Sequence, residues 1–159
     1  MEEQETSNLA TEELSKAQRT IAIVLAEIQK EGYSKIMPFD IGEVEIRMLR
    51  YAAINGITLG SDRLYMSAKQ LTHAIRQSKQ GKGLAVDFME LINFPTARFK
   101  MDLYYDKECF IYNNGTSKFI VHPNYEIKVS RGKVKVVNFI TATKIKDPAE
   151  FTLPKYIKI

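Results

Sequence analysis

Hydrophobic side chains recur at helical spacing in the first third of the chain and at strand spacing in its last part. After Thr11 they stand three or four positions apart, which predicts a helix that ends at Gly32; they are Leu14, Ala17, Ile21, Val24, Leu25 and Ile28. Residues 21–26 are apolar almost all round the predicted helix. We therefore expect this helix to lie deep in the fold or to pack against another chain.

Three more helices are predicted before the pattern changes. Asp40 and Glu43 have the spacing of a capping box for a helix that ends at residues 55–56. After a short strand over residues 63–66, Ser67 caps a third helix, which ends at residues 81–83. A fourth helix covers about residues 84–92 and ends at the turn formed by residues 93–95.

From residue 98 the apolar positions alternate, which is typical of strands. Five segments show this pattern: 98–105, 108–112, 118–122, 125–129 and 133–141. Residues 113–115 and 130–132 are hairpin turns and residues 122–124 a third reversal, and turns this short join antiparallel strands. We predict an α+β fold in which N-terminal helices precede a four- to five-stranded antiparallel sheet. Residues 1–35 are predicted to form a helical extension, and residues 36–159 the main domain.

The composition limits the class of protein. Over 159 residues, 45% are hydrophobic and 26% charged, as in globular domains. There is no apolar run of the roughly 18 residues that would span a bilayer, and the acidic residues 1–5 do not resemble a signal peptide. Cys109 has no second cysteine to pair with. We expect a protein of the cytosol, in a bacterium or in a host cell, with no membrane contact.

The charge is divided unevenly along the chain. Residues 1–60 contain six Lys or Arg and ten Asp or Glu, a net charge of −4, whereas residues 61–159 contain seventeen and nine, a net charge of +8. A basic half favours a polyanionic partner such as RNA. The alternative is that these lysines are solvated and protect sheet edges.

The third predicted helix contains the clearest candidate chemistry. Lys69, His73 and Arg76 stand three or four residues apart on its polar face. Two neighbouring cations favour a neutral imidazole, which suits a general base, and the cations can stabilise a phosphate. The alternative is a solvated polar face. The sequence has neither a Gly-rich phosphate loop nor a zinc cluster, so we expect no metal and no cofactor, and Cys109 is interpreted as a packed side chain.

The predicted sheet contains a second group. Lys118, His122 and Lys128 lie on strands around Pro123, and Thr141 ends the last strand. The strand register decides whether these residues meet the stripe of the third helix. We interpret Lys69, Lys79, Lys82 and His122 as residues that bind nucleic acid.

Residues 39–143 resemble the phage-associated branch of the barnase/EndoU/colicin/RelE-like nucleases. The resemblance rests on six segments: FDIGEV (39–44), MSAKQLTHA (66–74), NFP (93–95), KFIV (118–121), YEIKV (125–129) and VVNFIT (136–141). It implies helices followed by a compact antiparallel sheet, and metal-independent cleavage of RNA. His73 would then be the acid or base, with Arg76, Lys118 and Lys128 on the phosphate and Thr141 as the hydroxyl of the site.

Relatives of this type often carry a second histidine shortly after the first, where this chain has residues 76–79, Arg-Gln-Ser-Lys. This departure leaves an alternative open. The chain would then be a non-catalytic phage or mobile-element protein that binds nucleic acid or another protein. The surface for a protein partner, or for a second copy of the chain, would be the helix from Leu14 to Ile28.

Overall fold

The protein has the predicted α+β class, with helices first and a mostly antiparallel sheet after them. A computed structural model describes the backbone of residues 2–76 and 81–159, and the side chains of residues 12–76, 81–128 and 130–159. Within these ranges the helices are α1 (Glu2–Glu31), α2 (Ile46–Asn55), α3 (Ala68–Ile75) and α4 (Phe88–Ala97). Short 3-10 turns lie at Arg98–Lys100 and Glu150–Thr152.

The sheet has seven strands, more than the four or five predicted. They are β1 (Phe39–Glu43), β2 (Arg63–Met66), β3 (Asp102–Asp106), β4 (Cys109–Asn113), β5 (Ser117–Ser130), β6 (Lys133–Lys144) and β7 (Ile157–Lys158). Their order is β1-β2-β6-β5-β4-β3-β7. Strands β3 to β6 form the predicted antiparallel meander, and the additional strands extend it at both edges. The pair β2–β6 is parallel.

Two predicted features are wrong in the region of β1 and β5. Asp40 lies in β1 and does not cap α2; its carboxylate accepts hydrogen bonds from the backbone N–H of Gly42 at 2.8 Å and from Nε of Arg63 at 2.7 Å. Residues 117–130 form one strand, because the expected reversal at residues 122–124 is an irregularity in which the register shifts and Asn124 has a φ of 58°. The strand continues beyond it.

Two helix ends also differ from the prediction. Ser67 caps α3 as predicted, since its Oγ accepts from the backbone N–H of Gln70 at 3.3 Å, but the helix ends at Ile75 because Arg76 is extended with a ψ of 151°. Residues 77–80, predicted to continue it, lie outside the described residues. The helix α4 contains Pro95 and does not end before it. Phe94 and Pro95 are buried there, and the proline removes one backbone hydrogen bond from the last turns of the helix.

The helices cover one face of the sheet, which we call the inner face. Its side chains join those of α1, α3 and α4 in one hydrophobic core; they are Leu103, Phe110, Tyr112, Phe119, Val121 and Ile140. Because side chains alternate along a strand, the residues between them point away from the helices. We call that side the outer face; it carries Tyr104, Ile111, Ile120, His122 and Thr141.

Helix α1 belongs to the same core. Ile21 and Val24 are completely buried, and Leu25 is 1% exposed. The helix packs against α4, β1 and α3. The apolar side chains that suggested a partner surface are therefore covered within this chain, while Ile23, on the solvent side of the helix, is exposed. Among the described residues, no helix has the length and apolar character needed to cross a membrane.

The packing of α1 predicts how the chain unfolds. Leu25→Ala removes a side chain that is 1% exposed, so we expect the free energy of unfolding in urea to fall by about 2–5 kcal/mol in a single transition. Ile23→Ala is the matched control, because this side chain is 52% exposed and its loss should change stability by about 0.5 kcal/mol or less. A separate early transition for α1 would contradict this and support the predicted boundary at residue 35.

Candidate functional site

The outer face brings together two of the five residues predicted to be catalytic. Lys118 pairs with Thr143 and Ile120 pairs with Thr141 across β5 and β6. Because Phe119 and Val121 point into the core, Lys118 and His122 point to the other side. The outer face therefore holds Lys118, His122 and Thr141.

His122 has a side-chain partner at each ring nitrogen. Its Nδ1 lies 3.4 Å from Sγ of Cys109 on β4, and its Nε2 lies 3.1 Å from Oγ1 of Thr141 on β6. The ring is only partly exposed. Three neighbouring strands thus hold the imidazole in one orientation.

Burial controls the protonation of this cluster. It lowers the pKa of His122 below the usual 6.5, so the ring is neutral at pH 7. Burial also raises the pKa of the Cys109 thiol, and the carboxylates of Asp106 and Glu108 raise it further. The cluster is therefore a neutral imidazole beside a protonated thiol, and not a thiolate–imidazolium pair.

The C-terminal segment covers the β3 side of the outer face. Phe151 packs against Tyr104 with ring centroids 4.8 Å apart. Glu150 accepts from Nζ of Lys118 at 2.6 Å and from the hydroxyl of Tyr156 at 2.8 Å. Burial alone raises the pKa of Glu150, but these two hydrogen bonds and the charge of Lys118 outweigh it and lower the pKa below 4.5. Lys118 is therefore an ion-paired cation.

The helix-borne residues lie elsewhere. His73 and Arg76 are exposed near the end of α3, and Nη1 of Arg76 donates to Nδ1 of His73 at 3.3 Å. Helix α3 packs on the inner face, so the sheet separates this pair from Lys118 and Thr141. Arg76 and Thr72 also line a cleft of about 540 Å³ between α1 and α3.

The remaining predicted cations do not converge on His122. Lys128 pairs with Val134 and points to the opposite side of β5 from Ile127, which packs on the outer face. Lys69 is exposed on α3, four residues before His73, and Lys82 is exposed in the segment between α3 and α4. Lys79 lies outside the described residues.

A cleft of about 620 Å³ lies between α4 and the turn after β4. Glu90, one of the charged residues in its wall, accepts hydrogen bonds from Oγ1 of Thr116 at 3.0 Å and from Nδ2 of Asn114 at 3.4 Å. These bonds attach the turn to the helix. We interpret the cleft as part of the packing of α4, since neither histidine lines it.

Comparison of the chain with protein-family models, with curated proteins and with solved structures finds no match. The candidate site is therefore argued from its own geometry. Within residues 2–76 and 81–159, no group of three or more His, Cys, Asp or Glu side chains is placed to hold a metal ion.

Sequence reasoning missed three members of the outer-face site. Cys109 was interpreted as packing alone, and Glu150 and Tyr156 follow the last predicted strand. The contact between Cys109 and His122 follows from the register Phe110↔Val121, which places the residues on either side of that pair opposite each other. A sequence pattern does not specify a register.

The burial of His122 predicts a pH dependence of stability. His122 has a lower pKa in the folded chain than the usual 6.5 of the unfolded chain, so the unfolded chain takes up this proton first as the pH falls. The free energy of unfolding should therefore decrease as the pH drops from about 6.5. In His122→Gln this contribution is absent, and urea unfolding at about pH 7.5 and about pH 5 should show a smaller decrease than in the unmodified protein.

An NMR titration of the His122 ring checks the same point directly. The midpoint should lie below 6.5. A midpoint at or above that value would contradict the assignment of a desolvated neutral ring.

Proposed function

We propose that the protein cleaves RNA without a metal ion, on the outer face, with His122 as the proton acceptor. The observation that carries this proposal is the contact of 3.1 Å between Nε2 of His122 and the hydroxyl of Thr141, on the face that also holds Lys118. This moves the base from His73, the residue implied by the resemblance, to the histidine of the sheet.

The burial of His122 suits it to proton uptake near neutral pH. A neutral ring is able to accept a proton, and its depressed pKa keeps it neutral at pH 7. Nε2 accepts only in the tautomer that carries the ring proton on Nδ1, and there Sγ of Cys109 is the acceptor. In this tautomer the Thr141 hydroxyl donates to Nε2 and occupies the place of a substrate hydroxyl.

The proposed reaction is an attack by the ribose 2′-oxygen on the adjacent phosphorus. Nε2 removes the proton of the 2′-hydroxyl, and the 2′-oxygen forms a bond to phosphorus as the bond from phosphorus to the 5′-oxygen breaks. The 5′-oxygen leaves with a proton from solvent. The products are a 2′,3′-cyclic phosphate and a free 5′-hydroxyl. Lys118 is the cation that we assign to the reacting phosphate, and a bound phosphate would compete with Glu150 for it.

A second candidate is RNA binding without cleavage. Two observations favour it: Lys118 is already paired with Glu150, and both nitrogens of His122 have partners within the protein. A phage or mobile-element protein that binds RNA without cutting it would need the positive charge of residues 61–159 but no general base. Its affinity would fall steeply with salt.

The test is cleavage of a labelled RNA oligonucleotide in EDTA. We expect the unmodified protein to release a fragment that ends in a 2′,3′-cyclic phosphate and to leave the matching DNA intact. His122→Ala should reduce the rate by roughly 100- to 10,000-fold, because it removes the general base. Thr141→Val, which removes one hydrogen bond to the ring, should cost about tenfold or less.

His73→Ala decides between the two locations. A loss of activity in His73→Ala with normal activity in His122→Ala would contradict the outer-face site and return the chemistry to α3. If both variants cleave as fast as the unmodified protein, the cleavage comes from a contaminating nuclease. Thermal unfolding of each variant checks that the fold is intact.

A further inference from the structure

We infer that Tyr125 and the outward lysines of the β5–β6 ribbon form a binding subsite for single-stranded RNA beside His122. The ribbon consists of residues 125–130 and 133–137, and among the described residues neither segment pairs with a third strand. The inference deepens the proposed function, because it names the surface that would hold the nucleotides next to the reacting phosphate.

Tyr125 has the geometry of a base-stacking side chain. Its ring lies on Phe139 with centroids 4.7 Å apart and planes inclined by 14°. Phe139 is 3% exposed, whereas Tyr125 is 44% exposed, so the ring face turned away from Phe139 meets solvent. A nucleobase is able to stack on that free face.

The position of Tyr125 links this ring to the candidate site. The ring centroids of Tyr125 and His122 are 6.2 Å apart. Tyr125 pairs with Val137, and His122 pairs with Phe139, so both side chains lie on the outer face. A nucleotide stacked on Tyr125 would therefore place its phosphate close to His122 and Thr141.

Charge indicates the direction of the RNA strand. Lys133, Lys135 and Val137 stand two residues apart along β6, so all three point to the outer face of the ribbon. Both lysines are exposed. Nζ of Lys135 lies 2.7 Å from the hydroxyl of Tyr65 and 4.8 Å from the centre of its ring, which holds the cation on the outer face beside β2.

The opposite direction is unfavourable for phosphates. Beyond Cys109 the outer face carries the carboxylates of Asp106 and Glu108, whose negative charge reaches the thiol. The strand should therefore leave His122 along the ribbon and not across β3 and β4. From Thr141 to Lys135 it would follow about 20 Å of β6, the length of a few nucleotides.

These features favour single-stranded RNA over a duplex. A base stacks on Tyr125 only if it is not already stacked and paired within a helix. The groove of A-form RNA that displays base edges is wide and shallow and offers no free base face to an aromatic ring. The partner that fits this surface is therefore an unpaired stretch of RNA.

The test is the affinity of the full chain for a fluorescent RNA oligonucleotide with 2′-O-methyl groups, which cannot be cleaved by 2′-oxygen attack. Tyr125→Leu keeps an apolar cover on Phe139 but lacks a flat ring, and should weaken binding roughly tenfold in fluorescence anisotropy. Tyr125→Phe keeps the ring and should bind normally. Tyr33→Leu is the matched control, since Tyr33 is also exposed and lies after α1.

The lysines are tested by the salt dependence of the same binding. Lys133→Gln with Lys135→Gln removes two phosphate contacts, so the slope of log affinity against log salt should become shallower by about 1.4. The control is Lys30→Gln with Lys35→Gln, which removes the same number of charges near the end of α1, away from the ribbon. It should leave the slope unchanged. Equal slopes in the two double variants would overturn the ribbon assignment.

The outcomes separate this inference from the proposed cleavage. Normal binding in Tyr125→Leu, in a protein that cleaves RNA through His122, would overturn the subsite and leave the cleavage standing. Weakened binding in Tyr125→Leu, in a protein that does not cleave RNA, would keep the subsite and overturn the cleavage. An unchanged thermal midpoint in Tyr125→Leu shows that the lost affinity is not lost folding.

Discussion

The pairing of β5 with β6 determines which side chains meet the helices and which form the candidate site. Phe119, Val121 and Ile140 pack under the helices, and the same backbone turns Lys118, His122 and Thr141 to the other side. A shift of this register by one residue would put charged groups into the core and phenylalanine into water. The stability of the core therefore also maintains the geometry of the outer face.

The outer face is itself divided by the C-terminal segment. Over β3 it is covered by Phe151 and Tyr156, which pack against Tyr104. Glu150 of the same segment pairs with Lys118 of β5. Over the ribbon, Ile127, Val137 and Phe139 form a buried cluster. Tyr125 is exposed, and the nearby lysines stand on one side of the strand pair. The contrast between the paired charge of Lys118 and the exposed ring and lysines of the ribbon is the physical basis for placing RNA along β6.

Two histidines define two competing locations for chemistry. His73 is exposed and accepts a hydrogen bond from Arg76, so in the neutral ring the proton lies on Nε2, which then donates and does not accept. His122 is half-buried with a depressed pKa, and Sγ of Cys109 and Oγ1 of Thr141 lie within hydrogen-bond distance of its two ring nitrogens. A general base needs a pKa below the working pH and a lone pair that the substrate can reach. The depressed pKa of His122 meets the first condition, and the second requires a substrate hydroxyl to displace that of Thr141 from Nε2. The burial of His122 among three strands also explains why the same cluster would stabilise the sheet if no reaction occurs.

The sequence alone determined the class of fold, the helix α1, the cap at Ser67, the strand at residues 63–66 and the meander from β3 to β6, because periodicity and turn residues are local properties. It also pointed to Lys118, His122 and Thr141 as residues of interest. Only the tertiary structure placed them together, added Cys109, Glu150 and Tyr156, and separated them from His73. It also converted the predicted turn at residues 122–124 into a strand irregularity and drew Asp40 into β1. Strand register and the choice of sheet face depend on contacts between distant residues, which no local pattern specifies.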